Sequence, residues 1–162
     1  MLKQELANFP LFQGLSEAQL LEINPLLEYC HFPAGMVIFE QGAPATCLYL
    51  LVSGCVEVRY KPYDGPILTV AKISPGGVFG WSAALGRDVY TSAAVAGEPV
   101  EAQRLYGEKL HCLCDRHPET GVVLLERLAS VIAERLSSTH EQILAILQNG
   151  LDRCEGPGRS EK

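Results

Sequence analysis

Apolar and polar positions along the chain divide it into three stretches. Leu20, Leu21, Ile23, Leu26 and Leu27 recur at helical spacing behind Ser16-Glu17-Ala18-Gln19. That tetrad is a capping-box pattern, in which the serine hydroxyl and the Gln19 side chain each satisfy a main-chain N–H at a helix start. From Tyr29 to about Tyr106 the pattern becomes short apolar or alternating runs: Met36 to Phe39, Cys47 to Val52, Val56 to Tyr60 and Leu68 to Ile73. These predict strands. Turn signals fall between them at close spacing, in Pro33-Ala34-Gly35, Gln41-Gly42-Ala43-Pro44, Ser53-Gly54, Asp64-Gly65-Pro66 and Pro75-Gly76-Gly77. Together they predict an all-β roll or sandwich and exclude a parallel α/β sheet for this stretch. After Tyr106 a short helix leads to His117-Pro118-Glu119, where proline suits a first helical turn, and a helical pattern then runs from Glu119 to about Leu147.

Within that last helix Leu125, Leu128, Ile132, Leu136, Thr139, Ile143 and Ile146 are separated by steps of three and four, the seam of a two-stranded helix pair with Thr139 as its polar member. The reading is a parallel homodimer through residues 118–148. The alternative is a stripe packed only on the chain's own β-roll. The expected organisation is therefore residues 1–117 as N-terminal helix, β-roll and hinge helix, 118–148 as dimerisation helix, and 149–162, containing Gly156-Pro157-Gly158, as a disordered tail.

Bulk composition narrows the function. The 162 residues, 48% hydrophobic, suffice for one substantial core. Nineteen acidic against 13 basic side chains leave a net charge of −6, the wrong sign for tracking a phosphate backbone, so direct nucleic-acid binding is not expected. Met1 to Leu11 lacks the apolar run of a signal peptide and no later run approaches spanning length, so the expectation is a cytoplasmic protein without membrane contact. The six cysteines (Cys30, Cys47, Cys55, Cys112, Cys114, Cys154) then stay reduced, and most read as small hydrophobes filling cores.

The most informative segment runs from Ile73 to Leu85: Ile-Ser-Pro-Gly-Gly-Val-Phe-Gly-Trp-Ser-Ala-Ala-Leu. Glycines leave a strand and helix formers follow, a turn that points main-chain N–H groups outward as an anion site. Any tight strand-to-helix connection uses glycines in the same way, so the segment gains meaning from its place within a β-roll.

In that context the sequence resembles the cyclic-nucleotide-binding domain of the bacterial catabolite activator and Fnr-like regulators. The residues that carry the resemblance are Leu11-Phe12-Gln13-Gly14-Leu15-Ser16, Phe32-Pro33-Ala34-Gly35-Met36-Val37-Ile38, Gln41-Gly42, Leu48-Tyr49-Leu50, Ser53-Gly54-Cys55-Val56-Glu57-Val58 and Pro75-Gly76-Gly77-Val78-Phe79-Gly80. Their order and spacing match from about Phe9 to Leu147. The resemblance implies a double-stranded β-helix, or jelly roll, with flanking helices and a long C-terminal dimerisation helix. It also implies a site in which a cyclic monophosphate meets the main chain after the Phe-Gly pair, a glutamate holds the ribose and an arginine pairs the phosphate. Here Trp81 stands at the glutamate position, and the arginine position falls near Tyr90 or Thr91. Losing two hydrogen bonds to charged groups, at about 1.5 to 3 kcal/mol each, weakens a cyclic nucleotide by roughly a hundredfold to ten-thousandfold unless compensated.

Candidate ligand-binding residues on this reading are Phe79, Gly80, Trp81, Ser82, Ala83, Arg87, Tyr90, Thr91, Ser92 and Thr139. Arg87 and the hydroxyls of Ser82, Tyr90, Thr91 and Ser92 suit a neutral or singly charged ligand, with Trp81 as a stacking face. Thr139 aligns where the family brings a hydroxyl to the nucleotide base across the dimer. The opposing readings are that Trp81 fills the ligand space, Arg87 pairs only with Asp88, and Thr139 merely sets helix register.

Candidates of other classes are thinner. His111-Cys112-Leu113-Cys114-Asp115-Arg116-His117 groups soft ligands, but Cys112 and Cys114 point to different faces of a helix, so no metal is assigned. A metal-dependent oxygenase or isomerase roll needs several inward histidines, and His31 is alone in the β region. No catalytic set is present in the sequence and no cofactor is expected beyond a cyclic nucleotide such as cAMP or cGMP as ligand. With only about fifteen residues after Leu147, a helix-turn-helix is not expected. Two readings stand: a regulatory sensor whose dimer helices signal to a downstream protein, and a dimeric adaptor whose pocket is closed by side chains.

Overall fold

The computed structural model describes residues 3–154. Helix α1 (Lys3–Ala7) and a 3-10 turn (Pro10–Phe12) precede α2 (Glu17–Ile23). The expected capping box is formed: the Gln19 N–H donates to Ser16 Oγ at 3.2 Å and the Ser16 N–H to Gln19 Oε1 at 2.9 Å. Eight strands follow: β1 (Glu28–Phe32), β2 (Val37–Phe39), β3 (Cys47–Ser53), β4 (Val56–Tyr60), β5 (Leu68–Ile73), β6 (Val78–Phe79), β7 (Ala93–Ala96) and β8 (Val100–Tyr106). They form two four-stranded antiparallel sheets, in the orders β1-β8-β3-β6 and β2-β7-β4-β5. Helices α3 (Gly107–Arg116) and α4 (Pro118–Cys154) complete the chain, giving the jelly roll with flanking helices and a long C-terminal helix that the patterning predicts.

Strand alternation sorts the side chains into two cores. Cys47, Tyr49, Leu51, Val56, Ile73, Phe79, Ala94, Ala96, Val100 and Ala102 face one another between the sheets. The intervening residues of the first sheet, Leu48, Leu50 and Leu105, point the other way yet are also buried, as are Leu6, Phe12, Ile23, Leu110, Leu124 and Leu128 of the helical segments. The outer face of that sheet therefore carries a second apolar layer under the helices.

Two compact units result, one through Val131 and one from Ile132. Thr120, Leu124 and Leu128, one to two turns apart on α4, are buried in the first unit, so the opening turns of α4 belong to the roll. Leu128, expected in a dimer seam, is 2% exposed within the chain's own core, whereas Leu125, Leu136 and Ile146 of the same stripe are exposed. Helix α4 also continues past residue 148 to Cys154. Residues 149–154, expected in a disordered tail, are thus helical, because Gly150 alone does not break a helix and the first proline after Pro118 is Pro157. Residues 155–162 of that expected tail, with Gly156-Pro157-Gly158, lie outside the described residues. Among the described residues no helix is long and apolar enough to cross a membrane.

Burial of Leu128 makes it a stability residue. Leu128→Ala is expected to lower unfolding free energy by about 2 to 4 kcal/mol in urea titrations, a loss independent of protein concentration.

Candidate functional site

Strand β6 ends at Phe79, and the chain turns at Gly80 into a single 3-10 turn, Trp81–Ala83. Gly80 adopts φ 76°, in the left-handed region, and a Cβ there would lie 2.9 Å from the Cys47 carbonyl oxygen and 3.2 Å from ring carbons of both Phe39 and Tyr49. Only glycine satisfies both demands. The turn closes when the Arg87 N–H donates to the Ser82 carbonyl at 3.0 Å, just after Gly86 at φ 70°, a helix-end arrangement in miniature. Phe79, Gly80, Trp81, Ser82 and Ala83 thus form one rigid bend. Ser82 and Ala83 are buried and Trp81 is half-buried.

Behind the bend lies an aromatic stack. Phe39 and Tyr90 rings lie 3.7 Å apart at 14°, Tyr49 and Phe79 5.0 Å apart at 7°, and Phe39 also stacks on Tyr49. Tyr90 is 3% exposed; its hydroxyl donates to the Cys47 carbonyl at 2.6 Å and accepts from the Cys47 N–H at 2.9 Å. Burial pushes the Tyr90 phenol pKa upward, against lowering contributions from its hydrogen bonds to Cys47 and Thr46. The expectation that Tyr90 offers a hydroxyl to a ligand is corrected by this geometry, since the group is committed to the β3 main chain.

The other expected site residues separate. Thr91 is exposed and Ser92 half-buried. Arg87 lines a groove of about 510 Å³ with Thr46, Asp88, Tyr106, Glu108 and His111, and neither Thr91 nor Ser92 lines it. Thr139 donates its hydroxyl to the Arg135 carbonyl of its own helix at 2.9 Å. The expected soft-ligand cluster disperses too. His111 Nε2 lies 3.3 Å from the Ala84 carbonyl oxygen, His117 Nδ1 pairs with Glu22 at 3.2 Å, Cys112 is exposed, and Cys114 packs where a Gly121 side chain would otherwise sit.

Patterning missed a polar cluster at the end of β8. Arg104 stands on the roll-facing side of the strand, where its Nε and Nη2 reach Glu28 Oε2 at 3.2 and 3.1 Å, and Lys109 Nζ reaches Oε1 at 2.9 Å. Both cations lie over the Tyr106 ring, at 5.3 and 5.2 Å. Hydrogen bonds from Lys109 first, and then Arg104, hold the Glu28 carboxyl below the usual carboxylate range. The available signal was Arg104 in register with Val100 and Ala102 on an otherwise apolar strand face. Deeper in the roll, burial pushes the Cys30 thiol up to about 11.

The bend is tied to the helices. Gly107, the first residue of α3, approaches Ala83 so closely that a Cβ would lie 2.6 Å from its carbonyl oxygen, and His111 meets the next carbonyl. Glu22 then receives the Thr120 hydroxyl at 2.7 Å as well as His117, joining α2 to the corner between α3 and α4.

Residues 29–117 match the cyclic nucleotide-binding domain family, and the chain belongs to that family. It is 33% identical over 130 residues to the cyclic AMP receptor protein of Thermus thermophilus, covering 78% of this chain and 57% of that one. It is 26% identical over 157 residues to a CRP-like cAMP-activated global transcriptional regulator of Mycobacterium tuberculosis, covering 97% of this chain and 66% of the relative. The chain thus spans less than two thirds of the length of these curated relatives. A cyclic nucleotide-binding domain from Methylobacillus flagellatus superposes with a TM-score of 0.81 at 21% identity, over 88% of this chain and 83% of that one, and shares its fold.

Tyr90→Phe removes both hydroxyl bonds to Cys47 and leaves a buried carbonyl and N–H unpaired. It is expected to cost about 1 to 3 kcal/mol of stability by urea unfolding, and Gly80→Ala a comparable or larger amount.

Proposed function

We propose that this chain is a regulatory sensor of a cyclic-nucleotide-like small ligand, acting as a cytoplasmic homodimer through residues 118–148 and passing ligand occupancy along α4 to a downstream protein. The observation that carries the reading is the tight bend after Phe79, built on left-handed Gly80 and carrying no charged side chain in its Trp81–Ala83 turn. The Arg87 N–H closes the bend on the Ser82 carbonyl, and by resemblance Trp81 stands at the family's glutamate position and Tyr90 or Thr91 near its arginine position. Of the two residues near the arginine position, Tyr90 is engaged in the core and Thr91 is exposed, so Thr91 is the one free to meet a ligand. A ligand here is held by the main chain, Trp81, Ser82, Thr91 and Ser92, without a fixed cation beside the phosphate position. Thr139 enters by resemblance alone. Its hydroxyl donates to the Arg135 carbonyl one turn earlier in its own helix. The contacts from Ala83 and Ala84 to Gly107 and His111 supply the mechanical route by which reordering of the bend reaches α3 and the α4 corner.

Calorimetric titration with cAMP and cGMP, followed in parallel by fluorescence of Trp81, the single tryptophan, tests the reading. Binding of either nucleotide is expected to be weak. Trp81→Glu combined with Thr91→Arg is expected to tighten cAMP by roughly a hundredfold or more, the inverse of losing two charged hydrogen bonds. Silence of both the native chain and the double variant at millimolar nucleotide would instead indicate a closed pocket and an adaptor.

Sedimentation across a concentration series addresses the dimer. Leu136→Ala is expected to weaken self-association while leaving monomer stability within about 0.5 kcal/mol, as for an exposed residue.

A further inference from the structure

On the outer face of the second sheet the alternation of apolar and polar positions breaks down. Ala94 and Ala96 of β7 and Val56 and Val58 of β4 point into the core between the sheets. Their neighbours in the chain face outward, and on β4 these are Glu57 and Arg59, as a solvated face requires. On β7 and β2 they are Ala93, Val95 and Val37, with Val37 paired to Val95 and Ala93 to Arg59. This apolar strip is the floor of a cleft of about 620 Å³, a size typical of small-molecule sites. The loop between β4 and β5 supplies its wall through Pro62, Tyr63 and Ile67. Two devices hold that loop in place. The Lys61 N–H donates to Gln41 Oε1 at 2.8 Å and Gln41 Nε2 donates to the Lys61 carbonyl at 3.2 Å, so one carboxamide reproduces both hydrogen bonds of a strand pair. At the loop tip a Cβ on Gly65 would stand 2.8 Å from the Pro62 ring, and Pro62 and Pro66 restrict the backbone on either side. The cleft is therefore preformed, yet its wall keeps Tyr63 fully exposed and Ile67 62% exposed.

We infer that this cleft binds a small zwitterion with a flat apolar body, of the class of an aromatic amino acid. The body takes the strip of Val37, Ala93 and Val95 on one side and Tyr63 on the other, which removes apolar surface of both partners from water. The rim supplies the charges. Glu40, Arg59 and Lys61 are the charged residues lining the cleft among the described residues. The Arg59 guanidinium is matched by the Glu57 carboxylate, which its Nε and Nη2 reach at 3.1 and 2.6 Å. Glu40 and Lys61 are both exposed, and each stands one residue beyond a strand end, Glu40 after β2 and Lys61 after β4. Gln41 ties those two ends together, so the opposite charges are held at neighbouring positions, as an ammonium and a carboxylate on one carbon require. A phosphate dianion meets the Glu40 carboxylate as well as Lys61, so charge disfavours it here. The strip faces away from the space between the sheets, and none of the cleft residues belongs to the Phe79–Ser92 segment.

Three probes with one skeleton separate the contributions: L-phenylalanine as zwitterion, 2-phenylethylamine as cation and 3-phenylpropanoate as anion, with glycine as a zwitterion that lacks the body. Binding is read on the full chain by nuclear magnetic resonance of the Val37, Lys61, Ala93 and Val95 main-chain amides. L-phenylalanine is expected to shift them saturably with a roughly millimolar Kd, as its size dictates. The cation and the anion are each expected to bind roughly two- to fivefold more weakly, the effect of losing one exposed ion pair, and glycine not to saturate. Lys61→Gln is expected to remove the preference for L-phenylalanine over the cation, and Glu40→Gln the preference over the anion. Both side chains are exposed, so neither variant is expected to move the thermal midpoint. Trp81 fluorescence is expected to stay unchanged throughout, which separates this cleft from the nucleotide bend whatever the bend binds. Shifts that grow linearly without saturating, equal affinity for the three phenyl probes, saturation by glycine, preferences that survive the two substitutions, or a Trp81 response with the same midpoint would each overturn the assignment.

Discussion

The close approach of Gly80 to β3 is the contact on which the rest of the site depends. Its α-carbon sits against the Cys47 carbonyl and the Phe39 and Tyr49 rings, with the backbone in the left-handed region. The same Cys47 peptide is held from its N–H and its carbonyl by the buried Tyr90 hydroxyl. Two distant pieces of chain, before and after the bend, are thereby locked to one strand residue. The loop between them has little freedom at its ends and presents Trp81, Thr91 and Ser92 from a rigid base.

This rigid base sits at the junction of the two apolar layers. The aromatic stack fills the space between the sheets, while Gly107 and His111 carry the helical layer up to the bend from the other side. Interiors packed at crystal-like density do not deform smoothly, so a ligand that repositions the Trp81–Ala83 turn must displace α3 or be refused. The His117–Glu22–Thr120 contacts then define where such a displacement meets α4.

Charge is unevenly placed on the molecule. The Trp81–Ala83 turn carries no charged side chain, while Arg104 and Lys109 meet the Glu28 carboxylate at the end of β8. Gln103 is a buried polar residue on the otherwise apolar outer face of the first sheet.

Local patterning by itself determined the Ser16 capping box, the strands at Cys47, Val56 and Leu68, the long final helix and the order of elements that marks a jelly roll. Each rests on spacing within a dozen residues, where helical and pleated periods differ plainly. The Phe79–Gly80 bend was legible for the same reason. Only the tertiary structure decided which residues the site keeps. Tyr90 and Thr91 are adjacent and both hydroxylic, yet one is spent on Cys47, a partner 43 positions away, and the other faces solvent. Leu128 and Leu136 share one stripe of α4, but one is buried in the roll's helical layer and the other is exposed. Strand pairing likewise decided that Gln103 lies between Tyr29 and Leu50 on a buried face. Those outcomes depend on contacts between segments far apart in the chain, and periodicity carries no information about which distant segment a side chain will meet.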